Sequence, residues 1–155
     1  MPKSQAAVAD LFIAFFLFII VLSATIYTWN LYITRIDEER ENNEITMKAF
    51  QAAEALVKSQ GIPENWSLSN VNLTGLAENE RILSFKKVDL FVNLTEEQIK
   101  NIFKIQLYNF SFVLKDIEGN KIKEIGSITG EKSVNVKRYV VYENEPAILE
   151  FKMGK

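Results

Sequence analysis

Apolar residues are not spread evenly along this chain. They gather in one run from Ala6 to Ile33, and Leu11 to Val21 reads LFIAFFLFIIV without a charge. About 23 to 28 such residues suffice to cross ~30 Å of hydrocarbon at ~1.5 Å per residue. Tyr27, Trp29 and Tyr32 cluster at the far end of the run, where amphipathic rings favour the headgroup zone. The run is too long for the apolar part of an ordinary secretory signal, and no small-x-small site follows it. Lys3 and the amino terminus are the positive charges on the near side, and Arg35, Asp37, Glu38 and Glu39 open the far side. Positive-inside counting places the N-terminus in the cytoplasm and the bulk of the chain outside, on a margin of about one charge.

Beyond Arg35 the pattern changes from apolar on every side to apolar on one side. Ile33, Ile36, Met47, Phe50, Ala53, Leu56 and Val57 recur at spacings near three and four. That is an amphipathic helix, and Gly61 with Pro63 supplies its stop. No Gly or Pro lies between Gln5 and Gln60, so the spacing predicts one helix of about 55 residues, on the order of 80 Å long. Residues 61–80 read as an irregular segment, pinned to the helix by Trp66 and Leu68. Residues 80–92 read as a short helix or turn. Thr95-Glu96-Glu97-Gln98 is a capping box opening a helix to about Lys104.

Alternation then takes over. Tyr108, Phe110, Phe112 and Leu114 fall on one face of a strand, followed by a turn at Glu118-Gly119-Asn120 and a second strand over 121–129. Val134, Val136, Arg138, Val140 and Tyr142 share a face of a third strand. Asn144-Glu145-Pro146 reads as a turn into a fourth strand over 147–153. The expected class is α+β, with the long N-terminal helix packed against a C-terminal antiparallel meander. The expected division is a leader over 1–5, a membrane or filament-core helix over 6–33, a helical extension over 34–60, and a head domain over 61–155.

Composition removes whole classes of chemistry. The chain has 155 residues, no cysteine and no histidine. Disulfides, zinc sites built on Cys or His, and Ser-His-Asp or Cys-His catalysis are thereby excluded. The net charge of −2 and the short basic pairs Lys86-Lys87 and Lys137-Arg138 give no nucleic-acid footprint. The glycines are scattered, with no phosphate loop. Neither a cofactor nor a metal is expected, and no enzyme activity. An anchored enzyme would have to work through carboxylates, Ser or Lys.

Asn-x-Ser/Thr occurs at Asn65, Asn72, Asn93 and Asn109, where chance gives about one or two such triplets. All four are candidate N-glycosylation sites on the side placed outside. Asp10, at the start of the apolar run, is costly there unless it stays wet or finds a positive partner.

Lys3-Ser4-Gln5-Ala6-Ala7, the acidic residue after it and the apolar run resemble the class III signal of archaeal type IV pilin-like proteins. The segments GIPENW (61–66), GLA (75–77), KRYVV (137–141) and AILEF (147–151) are similar to patterns in that group. The resemblance implies a pilin-like fold and a structural subunit, pilin or minor pilin, of a surface filament. It implies cleavage by a prepilin peptidase within Lys3, Ser4, Gln5 and Ala6, then extraction by the pilus assembly machinery. It also implies self-association with other pilins through the N-terminal helix. Asp10 would be the assembly carboxylate that pairs with a neighbour's terminal amine. It is the fifth mature residue if cleavage follows Gln5, and the sixth if Gln5 is retained. The alternative is an uncleaved, single-pass membrane-anchored binding or secretion-associated module, with Trp66 or Leu73 exposed in a contact loop.

Overall fold

A computed structural model describes residues 3–128, 130 and 132–155, with the side chains of residues 3–7, 9 and 38 outside the description. The elements in chain order are α1 (Lys3–Lys58), β1 (Ala77–Asn79), β2 (Ile82–Leu83), α2 (Phe85–Val92), α3 (Glu96–Phe103), β3 (Asn109–Asp116), β4 (Lys121–Gly126), β5 (Ser133–Tyr142) and β6 (Glu145–Gly154). The chain is α+β, and α1 packs through its C-terminal part against a mostly antiparallel sheet, as expected. Two compact units divide it, residues 1–42 and residues 43–155. The last turns of α1 thus belong to the head domain and supply part of its core.

The buried stripe of α1 differs from the one predicted. Ile45, Ala49, Ala52, Ala53, Leu56 and Val57 are buried, whereas Met47 is 62% exposed and Phe50 51% exposed. Spacings of three and four hold in both stripes, but the sheet selects the smaller side chains. Three alanines, Ala49, Ala52 and Ala53, thus belong to the same buried core as the aromatic side chains of the sheet's inner face. Phe50 lies outside the seam, beneath the Arg138 guanidinium at 4.6 Å.

The helix ends at Lys58 because the following segment folds back over its last carbonyls. Leu76, Arg81 and Ala77 donate backbone N–H to the carbonyls of Leu56, Val57 and Ser59. These bonds satisfy acceptors that a helix C-terminus leaves open. Gly61 turns the chain at φ +91, and Trp66 stacks where a Cβ at Gly61 would stand. Trp66 is buried, and its Nε1 donates to the Gly75 carbonyl at 3.0 Å. Leu68, expected to help pin this segment, is exposed. The segment also contributes β1 and β2, too short to carry a readable alternation.

The sheet runs in the order β1-β2-β5-β6-β3-β4, with β2 and β5 parallel and every other pair antiparallel. The predicted meander does not hold between β4 and β5. β6 takes the place between β3 and β5, because Ala147, Leu149, Phe151 and Met153 are all buried and need neighbours on both sides. β4 carries Lys121, Lys123 and Glu124 and forms an edge, where charge discourages pairing with other chains. It stops at Gly126, whose φ of +77 and contact with the Phe110 backbone leave no room for a side chain. The β5–β6 turn is Glu143-Asn144, both at positive φ, flanked by the Tyr142–Glu145 pair. This is the two-residue geometry that suits the twist of a hairpin, and it places Glu145 and Pro146 in β6 rather than in the turn.

The three helices line the inner face. Phe91 of α2 meets Phe112 edge-on at 5.0 Å, and Phe103 of α3 meets Phe151 at 6.1 Å. The capping box at Thr95 and Gln98 is present in full. Replacing Ala53 with Leu is expected to destabilise the head domain by about 1–3 kcal/mol, because the seam has no room for the added methylenes. Phe50→Ala, outside the seam, is expected to cost about 1 kcal/mol or less. Urea unfolding of both variants measures the difference.

Candidate functional site

The feature that asks for a partner is the N-terminal part of α1. Every large apolar side chain from Leu11 to Ile33 is exposed, and residues 11–34 carry no charge. The helix is long and apolar enough to cross a membrane, with none of its most apolar stretch buried. Residues 11–34 span about 36 Å at 1.5 Å per residue. Covering that many large side chains is favourable by on the order of tens of kcal/mol.

The threonines within this stretch are satisfied by their own helix. Thr25, Thr28 and Thr34 donate their hydroxyls to the carbonyls of Val21, Ala24 and Asn30, at 2.8, 2.8 and 3.0 Å. No threonine donor is left to seek water. A shallow groove runs along the helix surface between Val21, Ala24, Thr25 and Thr28, closed at one end by Trp29 and Tyr32. Small residues at such a place let a neighbouring helix approach closely.

Asp10 is exposed at the start of the run. Lys3, Ser4, Gln5 and Ala6, the candidate cleavage residues, are helical in backbone, and their side chains lie outside the described residues. The four sequon asparagines fall on different structures. Asn65 lies in a turn, Asn72 in the segment bridged to Ile62, Asn93 at the C-cap of α2, and Asn109 at the start of β3. Asn65, Asn72 and Asn93 are exposed, and Asn109 is half-buried. Trp66 is core, and Leu73 is half-buried.

Two carboxylates hold the head domain together in ways that periodicity could not name. Glu54 on α1 accepts from Arg138 Nε at 2.7 Å and from Lys58 Nζ at 2.7 Å. Lys58 first, then Arg138, draws its pKa below the ordinary 4.5. The signal in the sequence is Arg138 itself, a charge on the inward parity of β5. Its partner lies 84 residues away and left no trace. Glu150 is 6% exposed in its side chain, although it points to the sheet's outer face. Lys115 Nζ and Lys137 Nζ, on the strands either side, approach it at 2.9 Å each. Lys115 is the main cause of a pKa below 4.5 there, with Lys137 adding to it against the opposing effect of burial.

Among the described residues no group of three or more Asp or Glu gathers to hold a metal. A cleft of about 290 Å³ opens beside Trp66, lined by Gln60, Glu64, Asn65, Glu78, Lys86 and Lys87 among others. Lys87 Nζ is already committed to the carbonyls of Gln60 and Ala77, at 2.9 and 3.2 Å. The cleft is thus built as a strut between segments. Comparison with known proteins returns no matching family model, no matching curated protein and no matching solved structure.

Glu54 and Glu150 both have folded-state pKa values below the ordinary 4.5. Their contribution is therefore complete above that value and is lost as pH falls through the folded values. The melting temperature of the head domain should fall in that acid window, and E150Q should flatten the fall. A second expectation concerns solubility. Residues 43–155 expressed alone should be soluble, monomeric and cooperatively folded, whereas the full chain should require detergent. Circular dichroism and size exclusion decide it, and a disordered 43–155 fragment overturns the two-unit organisation.

Proposed function

We propose that this chain is a structural subunit, a pilin or minor pilin-like protein of an archaeal type IV pilus-like surface filament, inserted in a membrane before assembly. The observation that carries the reading is the helix α1. It is exposed and apolar on every side over 11–33, and from Ile45 onward it is covered on one side by its own domain. Such a surface is served equally by lipid before assembly and by like helices after it. Head-to-tail association through one element, repeated without closure, makes a filament.

Asp10 fits this reading on energetic grounds. A carboxylate at the border of an apolar helix is expensive to bury alone, and a cationic partner offsets much of that expense. The terminal amine freed by cleavage within Lys3 to Ala6 is such a partner, supplied by a neighbouring copy. The groove at Ala24, Thr25 and Thr28 offers that neighbour a close approach. The head domain then faces water, with Arg35 and the acidic residues after it just past the aromatic cluster.

Intact mass and N-terminal sequencing of the protein from its own cell surface test the reading. A chain starting at Gln5 or Ala6 is expected. A chain starting at Met1 or Pro2 overturns the processed subunit and leaves a permanently anchored, single-pass module in its place. In the processed protein, Asp10→Ala should lower filament yield from sheared cells on the order of tenfold, equivalent to about 1.4 kcal/mol. The amount held in the membrane should stay unchanged.

A further inference from the structure

The four Asn-x-Ser/Thr triplets look alike in the sequence and differ in the folded domain. Attaching a sugar to asparagine needs two groups accessible together. One is the side-chain amide nitrogen that forms the bond, and the other is the hydroxyl two residues on that completes the acceptor. In three of the four triplets the asparagine side chain is bonded into the fold or the hydroxyl is buried.

At Asn109 the side chain is half-buried, and its Oδ1 accepts from Lys100 Nζ at 3.1 Å. Its backbone is paired with Gly154, and Ser111 is paired on both sides, with Gly126 and Lys152. At Asn93 the amide Nδ2 itself donates to the Asp89 carbonyl at 2.8 Å, closing the end of α2. Its companion hydroxyl, Thr95, is the cap of α3 and accepts from the Gln98 N–H. At Asn72 the asparagine is exposed, but Thr74 is wholly buried. Its hydroxyl has no partner in the interior and is out of reach of any enzyme docking on the folded domain.

Asn65 differs from all three. It is exposed in a turn, and its side chain makes no hydrogen bond among the described residues. Ser67 is half-buried, and its Oγ bonds only locally, donating to Asn70 Oδ1 at 2.9 Å and lying 3.2 Å from Ser69 Oγ, both on the exposed residues that follow. Trp66 between them is fixed inward by burial and by its bond to Gly75, which leaves Asn65 exposed and Ser67 half-exposed. Asn65 also borders the cleft of about 290 Å³, whose Glu64, Glu78 and Lys86 side chains offer hydrogen bonds to sugar hydroxyls.

We propose that Asn65 is an N-glycosylation site of the folded domain, and that Asn72, Asn93 and Asn109 stay unmodified. The donor is an oligosaccharide carried on a lipid phosphate. Asn65 Nδ2 bonds to C1 of the first sugar as the C1–O bond to the donor phosphate breaks. The phosphate leaves with the bonding pair, and the amide proton passes to a base of the transferring enzyme. The proposal rests on the placement of the head domain outside the membrane in the reading above.

The test is glycopeptide mapping of the full chain purified from its own cells, with the side of the head domain fixed by labelling its lysines in intact cells. Trypsin separates residues 59–81 from the peptides that hold Asn93 and Asn109. The expected result is a sugar mass on 59–81 alone. That mass should be lost fully in N65Q and in S67A, and kept in S67T and N72Q. The S67A variant leaves Asn65 and the Trp66 anchor in place, so loss of sugar there does not reflect a misfolded turn. Labelled lysines with an unmodified Asn65 overturn this proposal alone. So does comparable occupancy at Asn93 or Asn109, which means that the unfolded chain is the acceptor. Lysines reached only after permeabilisation overturn the outside placement, and the proposal with it.

Discussion

A helix that is apolar on every side cannot be satisfied by the small domain that follows it. A sheet covers one stripe of a helix, on the order of a third of its circumference. In this chain that limit is met where α1 passes from the exposed run ending near Ile33 to the seam beginning at Ile45. Between them lie Arg35, Asp37, Glu39, Arg40, Glu41 and Glu44, charges that neither lipid nor a core would accept. The character of the helix thus changes along its length, first apolar on every side, then charged, then covered on one side by the head domain.

Within the head domain the governing feature is the seam of Ala49, Ala52 and Ala53. They share one buried core with the large side chains of the sheet, Phe110, Phe112 and Phe151, which also pack on one another and on Phe91 and Phe103 of the two short helices. Interiors packed at crystal-like density have little slack for exchanging these roles. The same economy explains the ion pairs. Arg138 occupies an inward position of β5 but reaches the margin of α1, where Glu54 and the Phe50 ring receive it. Glu150 has no such margin, and two lysines from flanking strands close over it.

Local chemistry was legible in the sequence, and long-range neighbours were not. The capping box at Thr95 and Gln98, the burial of Trp66 and the inward set from Val134 to Tyr142 follow from rules that act over a few residues. The choice between Met47 with Phe50 and Ile45 with Ala49 does not. Both sets recur at helical spacing, and weighing them by hydrophobicity favours the larger residues, whereas close packing favours the smaller. Strand order failed for a related reason. Alternation states which face a residue takes, but the partner of β4 depends on how thoroughly β6 must be enclosed. The turn at Glu143-Asn144 was missed by one step because Pro146 drew the boundary toward itself, although proline is tolerated at the start of a strand.

The sequons show the same division on the functional side. A triplet is a local signal, readable without a structure, and all four pass that reading equally. What separates them is what the fold has done with each hydroxyl and amide. Thr95 and Asn93 close helix ends, Thr74 lies buried, and Asn109 is bound to Lys100. Among the described residues, Asn65 is the sequon asparagine that is exposed with its amide unbonded and its hydroxyl partner, the half-buried Ser67, outside the core, and Trp66 between them is fixed into the core. The anchor that ties the segment after α1 to the helix is therefore also what presents Asn65 to solvent. Stability and accessibility at this place depend on one indole ring.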